Sequence, residues 1–270
     1  MRKYLLLLLA LSLMVFIGCE TESDETTGIG QIAIQAFDAP FQGDVEHIYL
    51  NVIEVSVHKS VSDSTNASDT TAQWIVLSET DTTIDFLELV NGRMATLIQS
   101  DLELGHYTQI RLLLGDSSSI VVDGNAYELK VPSGSQSGVK LTHAFEINAD
   151  EVVEFYLDFD AERSINKHPS QNRYTLQPTF RLFKSVLSGT IAGSVADTAG
   201  AGLPDIAVYA VADADTIATL TDEDGGYKFI LLDGTYNISA AGYEMTTDTV
   251  YQAVSLTAGA ELTGYDFILE

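Results

Sequence analysis

A chain of 270 residues with 39 Asp and Glu against 13 Lys and Arg carries a formal charge of −26, which repels phosphate backbones and anionic headgroups and excludes nucleic-acid binding. Its 46% hydrophobic and 19% charged residues place it on the globular side of the disorder boundary. The single cysteine, Cys19, excludes an internal disulfide, so the fold must stand on its core.

The N-terminus reads Arg2-Lys3, then an apolar run over residues 5–15, then Phe16-Ile17-Gly18-Cys19. Roughly fourteen apolar residues are too few to cross a bilayer as a helix, which needs about twenty, and fit a secretory signal instead. The residues before Cys19 resemble the lipobox of bacterial lipoproteins, with Phe16 where leucine is usual. That resemblance implies cleavage after Gly18, a lipid on Cys19, and a membrane as the first partner. Residues 1–18 are thus expected to be a signal peptide. Residues 19–27, acidic and without apolar periodicity, are expected to be a tether. Losing Arg2 and Lys3 leaves 11 basic residues against 39 acids, a formal charge of −28. The acidic start of the tether resembles the signal that sends Bacteroidetes lipoproteins to the outer face of the outer membrane, which implies surface exposure.

From residue 28 onward apolar residues alternate at period two between turn residues, and no long amphipathic helix pattern is found. Strands are expected over 29–37, 48–58, 74–77, 107–114, 119–122, 126–131 and 152–159. Asp123-Gly124-Asn125 and Pro132-Ser133-Gly134 read as turns. A short helical turn is expected over 85–90, closed by Asn91-Gly92, and an exposed Ser/Thr/Asp-rich loop over 60–73. Trp74 reads as a core anchor. On the stretch 139–145, Leu141 and Phe145 are expected to point inward and Lys140 and His143 to be exposed.

Composition changes near 184–189, beyond which Ala, Gly, Thr and Asp dominate and Arg and His are absent. Strands are expected over 190–195, 206–211, 218–221, 227–231, 235–240 and 265–269. Gly225-Gly226 should supply the positive-φ positions of a hairpin turn ahead of inward-facing Tyr227 and Phe229, with Asp233-Gly234 repeating the device. The expected class is all-β, two β-sandwich domains in tandem over 28–185 and 186–270.

The tail resembles the carboxypeptidase regulatory-like domains through Gly193-Ser194-Val195, Gly202-Leu203-Pro204-Asp205, Asp222-Glu223-Asp224-Gly225-Gly226-Tyr227 and Ala241-Gly242-Tyr243. The resemblance implies a transthyretin-like sandwich within a carbohydrate-binding-like fold group, and glycan contact by analogy alone. The larger domain resembles a bacterial lipoprotein family known only as the domain of unknown function four-three-eight-two. The matching residues include Phe37-Asp38-Ala39-Pro40, Leu104-Gly105-His106-Tyr107, Leu157-Asp158-Phe159-Asp160-Ala161-Glu162-Arg163-Ser164 and Tyr174-Thr175-Leu176-Gln177-Pro178. This family implies no activity.

Hydrolytic chemistry needs a nucleophile with its base, a metal with an open position, or paired carboxylates. His47, His58, His106, His143 and His168 are scattered, so neither an enzyme nor a cofactor is expected. Asp222-Glu223-Asp224-Gly225 invites calcium but lacks the ligand spacing of an EF-hand. The candidate ligand or metal residues are Asp38, Asp158, Asp160, Arg163 and Ser164, because charges crowd the end of an apolar strand. Alternation puts Asp158 and Asp160 on one face, opposite Phe159. The competing reading is structural, an Arg163 ion pair with Asp38 or Asp160 that fixes where strands end. The function expected is a lipid-anchored binding or scaffold protein of the envelope or cell surface, touching a glycan or a surface protein. Two alternatives stand beside it: a metal-dependent hydrolase using Asp158 and Asp160, and a purely structural surface stalk.

Overall fold

The structure, a computed structural model, describes residues 28–38, 45–60, 73–79, 81–132, 137–168, 173–213, 215–241 and 250–269. The expected signal peptide, Cys19 and the tether lie outside the described residues, as do most of the loop over 60–73 and Gly134. Among the described residues no helix is long and apolar enough to cross a membrane.

The first part of the chain builds β1 (Ile29–Asp38), β2 (Val45–Lys59), β3 (Gln73–Ser78), β4 (Thr82–Asp85), β5 (Ala95–Glu103) and β6 (Gly105–Leu114). It continues through β7 (Ser119–Val122), β8 (Asn125–Lys130), β9 (Val139–Ile147), β10 (Val152–Phe159), β11 (Ile165–Lys167), β12 (Tyr174–Leu176) and β13 (Phe180–Lys184). One sheet runs β13-β10-β1-β5, and a second runs β11-β12-β8-β7-β2-β6-β9 with β3 and β4 also on β2. The two sheets face each other across a core that includes Ile32, Ile34, Leu50, Ile110, Leu112 and Phe155, none more than 1% exposed.

Alternation explains which residues enter that core, and its interruptions explain the exceptions. In β2, Ile48, Leu50 and Val52 point inward; a register shift between Val52 and Glu54 then flips the parity, so that Val55 and Val57 take over. The β7–β8 hairpin closes on Asp123 and Gly124, both at positive φ (51° and 69°), as a two-residue turn with this sequence requires. The expected helical turn is a 3-10 turn, Phe86–Glu88. Asp85 caps it by accepting from Leu87 N at 3.2 Å, and Asn91 and Gly92 follow it at positive φ.

The tail builds β14 (Ser188–Asp197), β15 (Ala207–Ala212), β16 (Asp215–Leu220), β17 (Gly226–Leu232), β18 (Gly234–Ala241), β19 (Val250–Leu256), β20 (Glu261–Leu262) and β21 (Phe267–Leu269). One sheet has β14 between β17 and the pair β20 and β21, and the other runs β16-β15-β18-β19. Their shared core holds Ile191, Val208, Phe229, Leu231, Ile238 and Phe267. The chain is therefore all-β, two sandwiches in tandem.

Three local expectations need correction. Trp74 is half-buried and outside the core: it lies on the outer face of the large sheet, with the Arg111 guanidinium 4.5 Å and the Lys140 ammonium 5.8 Å from its ring. Arg111 is itself fixed by Glu54 at 2.7 Å and Ser56 at 3.0 Å, so the indole roofs an ion pair. His143 shares its parity with Leu141 and Phe145, so it faces inward and sits edge-on to Phe155 at 5.2 Å. Its proton affinity is lowered by burial and by the nearby Lys184 charge. Finally, only Gly225 of the Gly225-Gly226 pair has positive φ (80°), and Gly234 does not repeat it. Gly226 is instead held against the Asp222 carboxylate, which accepts from its N–H at 2.8 Å.

Candidate functional site

The joint between the sandwiches follows from strand parity. In β10, Phe155, Leu157 and Phe159 point into the first core, which leaves Tyr156 and Asp158 on the opposite face of the small sheet. That face meets the tail. Phe37, Phe183 and Ile230 form a small separate cluster there, with Tyr156 packed against it. The Phe37, Tyr156 and Phe183 rings meet edge to face at 6.0–6.3 Å.

On this face β10 and β13 run antiparallel with Asp158 directly opposite Arg181, so the two side chains form a cross-strand pair. Arg181 donates through Nε to Asp158 Oδ2 at 2.7 Å, and its Nη2 reaches the same oxygen. Its Nη1 crosses to the second sandwich and donates to Asp215 Oδ2 at 3.0 Å. Asp158 is only 3% exposed. Burial pushes its carboxyl up to about 6, against the pull of the Arg181 charge and hydrogen bond, with Asp160 and Asp215 adding to the rise. Arg181 moves the other way in effect. Burial disfavours its charge, yet Asp158, Asp215 and Asp160 together outweigh that and raise its affinity for the proton. The two directions agree physically, because Arg181 answers to three carboxylates while Asp158 pairs with one cation among the described residues and is the more deeply buried.

Above this pair opens a cleft of about 380 Å³ between the sandwiches. Asp158, Arg181 and Asp215 supply its charged floor, and Phe183, Leu232 and Tyr236 are among its walls. A cleft of this size, mainly apolar with a few convergent polar groups, has the makeup of a small-molecule site.

The sequence-derived site residues divide around this joint. Asp38 is 5% exposed at the end of β1, next to Phe159 in register, and Asp158 is the buried member of the ion pair. Asp160 falls beyond the strand, so alternation with Asp158 does not apply to it. It caps the single helical turn Ala161–Ser164, accepting from Arg163 N at 3.0 Å. Arg163 pairs with Asp160 at 3.4 Å and lies 3.9 Å from Asp215, while its side chain is 62% exposed. Ser164 is fully buried, and its hydroxyl donates to Asp160 O at 2.5 Å and accepts from Thr179 N at 2.9 Å. Both of its hydrogen-bonding roles are therefore taken by backbone. A hydrolytic centre built on Asp158 and Asp160 would need Asp160 to leave its cap and Asp158 to leave Arg181.

Arg181 and Asp215 were not singled out from sequence. Arg181 in Phe180-Arg181-Leu182-Phe183 carries the one available signal, a charge at an outward position between aromatics. A second cluster also went unseen: His47, Asp85 and Glu88 place ligand atoms within 4.8 Å of one another. Asp85 is committed there, accepting from Ile48 N and Leu87 N at 3.2 Å each and meeting His47 Nδ1 at 2.5 Å.

Among curated proteins none matches the chain. Among solved structures it resembles the Bacillus anthracis TIE protein at 12% identity and TM-score 0.26, covering 90% of this chain and 34% of that one. It also resembles the Streptococcal ancillary pilin at 9% identity and TM-score 0.23, covering 91% and 63%. The shaft pilin spaA from Lactobacillus rhamnosus GG follows at 7% identity and TM-score 0.24, covering 89% and 97%. The chain thus spans about a third of the first of these proteins and under two thirds of the second. Residues 190–270 match the carboxypeptidase regulatory-like domain. Residues 29–178, more than half of the chain, match the Domain of unknown function (DUF4382), and the chain belongs to that family.

Proposed function

We propose that this protein is a lipid-anchored binding and scaffold protein of the bacterial envelope, displayed at the cell surface, which contacts a glycan through the cleft between its two sandwiches. The observation that carries the reading is the Arg181–Asp215 pair on the cleft floor beside Phe183, Leu232 and Tyr236. A guanidinium and a carboxylate offer donors and acceptors to neighbouring hydroxyls, while aromatic and aliphatic walls suit the apolar faces of a sugar ring. The lipobox-like Phe16-Ile17-Gly18-Cys19 supports the anchor.

A glycan array probed with the wild type and with Asp215→Ala tests the binding role. Asp215 is 48% exposed and Arg181 keeps Asp158 as a partner, so the variant should fold. The expected result is retention of a defined glycan set by the wild type and a loss of about tenfold or more in the variant. An array with no hits would turn the reading toward a purely structural stalk. The anchor is tested by feeding cells a palmitate analogue: label should enter the wild type and not Cys19→Ala, and an unlabelled wild type would remove the lipid.

A further inference from the structure

The outer face of the large sheet carries a group of side chains that the joint does not use. In β2, Ile48 and Leu50 point into the core, so His47 and Tyr49 point out. Asp85 ends β4 directly opposite Tyr49 in register, and Glu88 follows it by three residues around the 3-10 turn, a spacing at which side chains eclipse. The chain thereby gathers an imidazole and two carboxylates at one point, their ligand atoms within 4.8 Å of one another. Asp85 is fixed through one oxygen only. Its Oδ1 accepts both backbone bonds, from Ile48 N and Leu87 N, which turns Oδ2 toward His47 Nδ1 at 2.5 Å. The His47 ring is itself held by stacking on Tyr49, with centroids 5.4 Å apart and planes at 17°. Among the described residues, exposed Glu88 has no hydrogen bond or ion pair, and no Lys or Arg pairs with Asp85.

We propose that His47, Asp85 and Glu88 bind a single zinc ion through an imidazole nitrogen, Asp85 Oδ2 and a Glu88 carboxylate oxygen, with water completing the shell. A nitrogen among the donors selects a transition metal over calcium or magnesium, which take oxygen ligands. Zinc accepts imidazole and carboxylate together, and three protein ligands suffice where a fourth position stays open to water. With bonds of about 2.0–2.2 Å, tetrahedral ligand atoms stand about 3.3 Å apart. The His47–Asp85 pair must then open by about 0.8 Å, and the widest pair must close by at most about 1.5 Å. Side-chain rotation supplies both, since the His47 side chain is 39% exposed and Glu88 is exposed. The same exposure leaves space for the water. A His47–Asp85 hydrogen bond alone accounts for only two of the three residues and sets the Glu88 carboxylate beside that of Asp85 without a cation to offset them. A divalent ion offsets both, and the acidic chain around it concentrates cations. The backbone bonds to Asp85 Oδ1 are the outer contacts that orient a metal-binding carboxylate. The site lies wholly within the first sandwich, tying β2 to the 3-10 turn, and does not depend on what the cleft binds.

Calorimetric titration of zinc into the chelator-treated protein tests this, with calcium and magnesium as controls. The expected result is one zinc per chain, bound at least about tenfold more tightly than calcium or magnesium. His47→Gln and Glu88→Gln change side chains that reach solvent and leave the Asp85 cap in place, so both should fold. Each should weaken zinc by about 10–100-fold or more, since even the groups behind metal ligands are worth that much. His106→Gln, which breaks the His106–Glu146 pair at 2.6 Å, should leave zinc affinity unchanged. On the wild type itself, NMR should show the His47 imidazole signals moving with the first equivalent of zinc, ahead of those of the other histidines. Absence of saturable zinc binding, equal affinity for zinc and calcium, or equal zinc affinity in wild type and His47→Gln overturns the proposal. A loss in His47→Gln with none in Glu88→Gln also overturns it, because two ligands then remain. So does His106 answering first, since zinc then takes whichever exposed imidazole lies beside an acid.

Discussion

Arg181→Ala is expected to lower stability by about 3–5 kcal/mol at neutral pH, the usual consequence of removing one partner from a buried ion pair. The loss comes less from the missing attraction than from what stays behind. Asp158, its side chain 4% exposed, would keep its burial and lose the only cation it pairs with among the described residues. The carboxyl has one escape, which is to take up a proton. With Arg181 present its folded value is already about 6, above the value of about 3.9 expected in an unfolded chain. A raised carboxyl makes the folded state the better proton binder, so its contribution is fully present below about pH 4 and is lost as pH rises through about 6. Without Arg181 the folded value climbs further. The variant should therefore be penalised less at pH 5 than at pH 7, because at pH 5 it can hold Asp158 neutral. Urea unfolding of both proteins at the two pH values measures this. A deficit below about 1 kcal/mol at pH 7, or one that does not change with pH, would mean that water reaches the Asp158 carboxylate.

The same ion pair marks how far the sequence reaches. Strand 152–159 could be read to the residue because alternation and flanking turns agree, and the charges at its end single out Asp158 as a candidate. The partner could not be read, because opposing Asp158 to Arg181 requires the β10–β13 register across 23 positions, and Asp215 arrives from another sandwich altogether. The strand β5 escaped for a different reason. It is an edge strand in which only Leu102 is buried, and Thr96, Gln99, Ser100 and Asp101 leave no periodic signal. Trp74 misled because hydrophobicity alone assigns an indole to the core, whereas a guanidinium and an ammonium above the ring offer it another environment. His143 is the opposite case: period two between Leu141 and Phe145 implies an inward histidine, and only its polar residue type argues for exposure. A small hollow lined by Asn91, Asp158 and Thr219 among others had no sequence signature, since these residues come from three separate segments.

Phe155→Ala is expected to cost about 3–5 kcal/mol, a large fraction of the roughly 5–15 kcal/mol that keeps a typical domain folded. Phe155 is fully buried in β10 and meets Phe145 edge to face at 5.0 Å and His143 at 5.2 Å, so truncation opens a cavity between the two sheets and removes two ring contacts. The core it belongs to is distinct from the one built on Phe229 and Ile238, and among the described residues the buried apolar cluster that bridges them is the small one of Phe37, Phe183 and Ile230. The damage should therefore stay in the first sandwich. Calorimetry should show its transition moving down by roughly 6–20 °C while a second transition, belonging to the tail, moves little. His143 offers a local reporter of the same event. Its proton affinity is lowered chiefly by burial, so water entering the space left by the ring should raise it, and NMR titration of the imidazole should follow that rise. A single transition that shifts as one unit, with His143 unchanged, would mean that the joint at Asp158, Arg181 and Asp215 couples the two cores more strongly than either core holds itself.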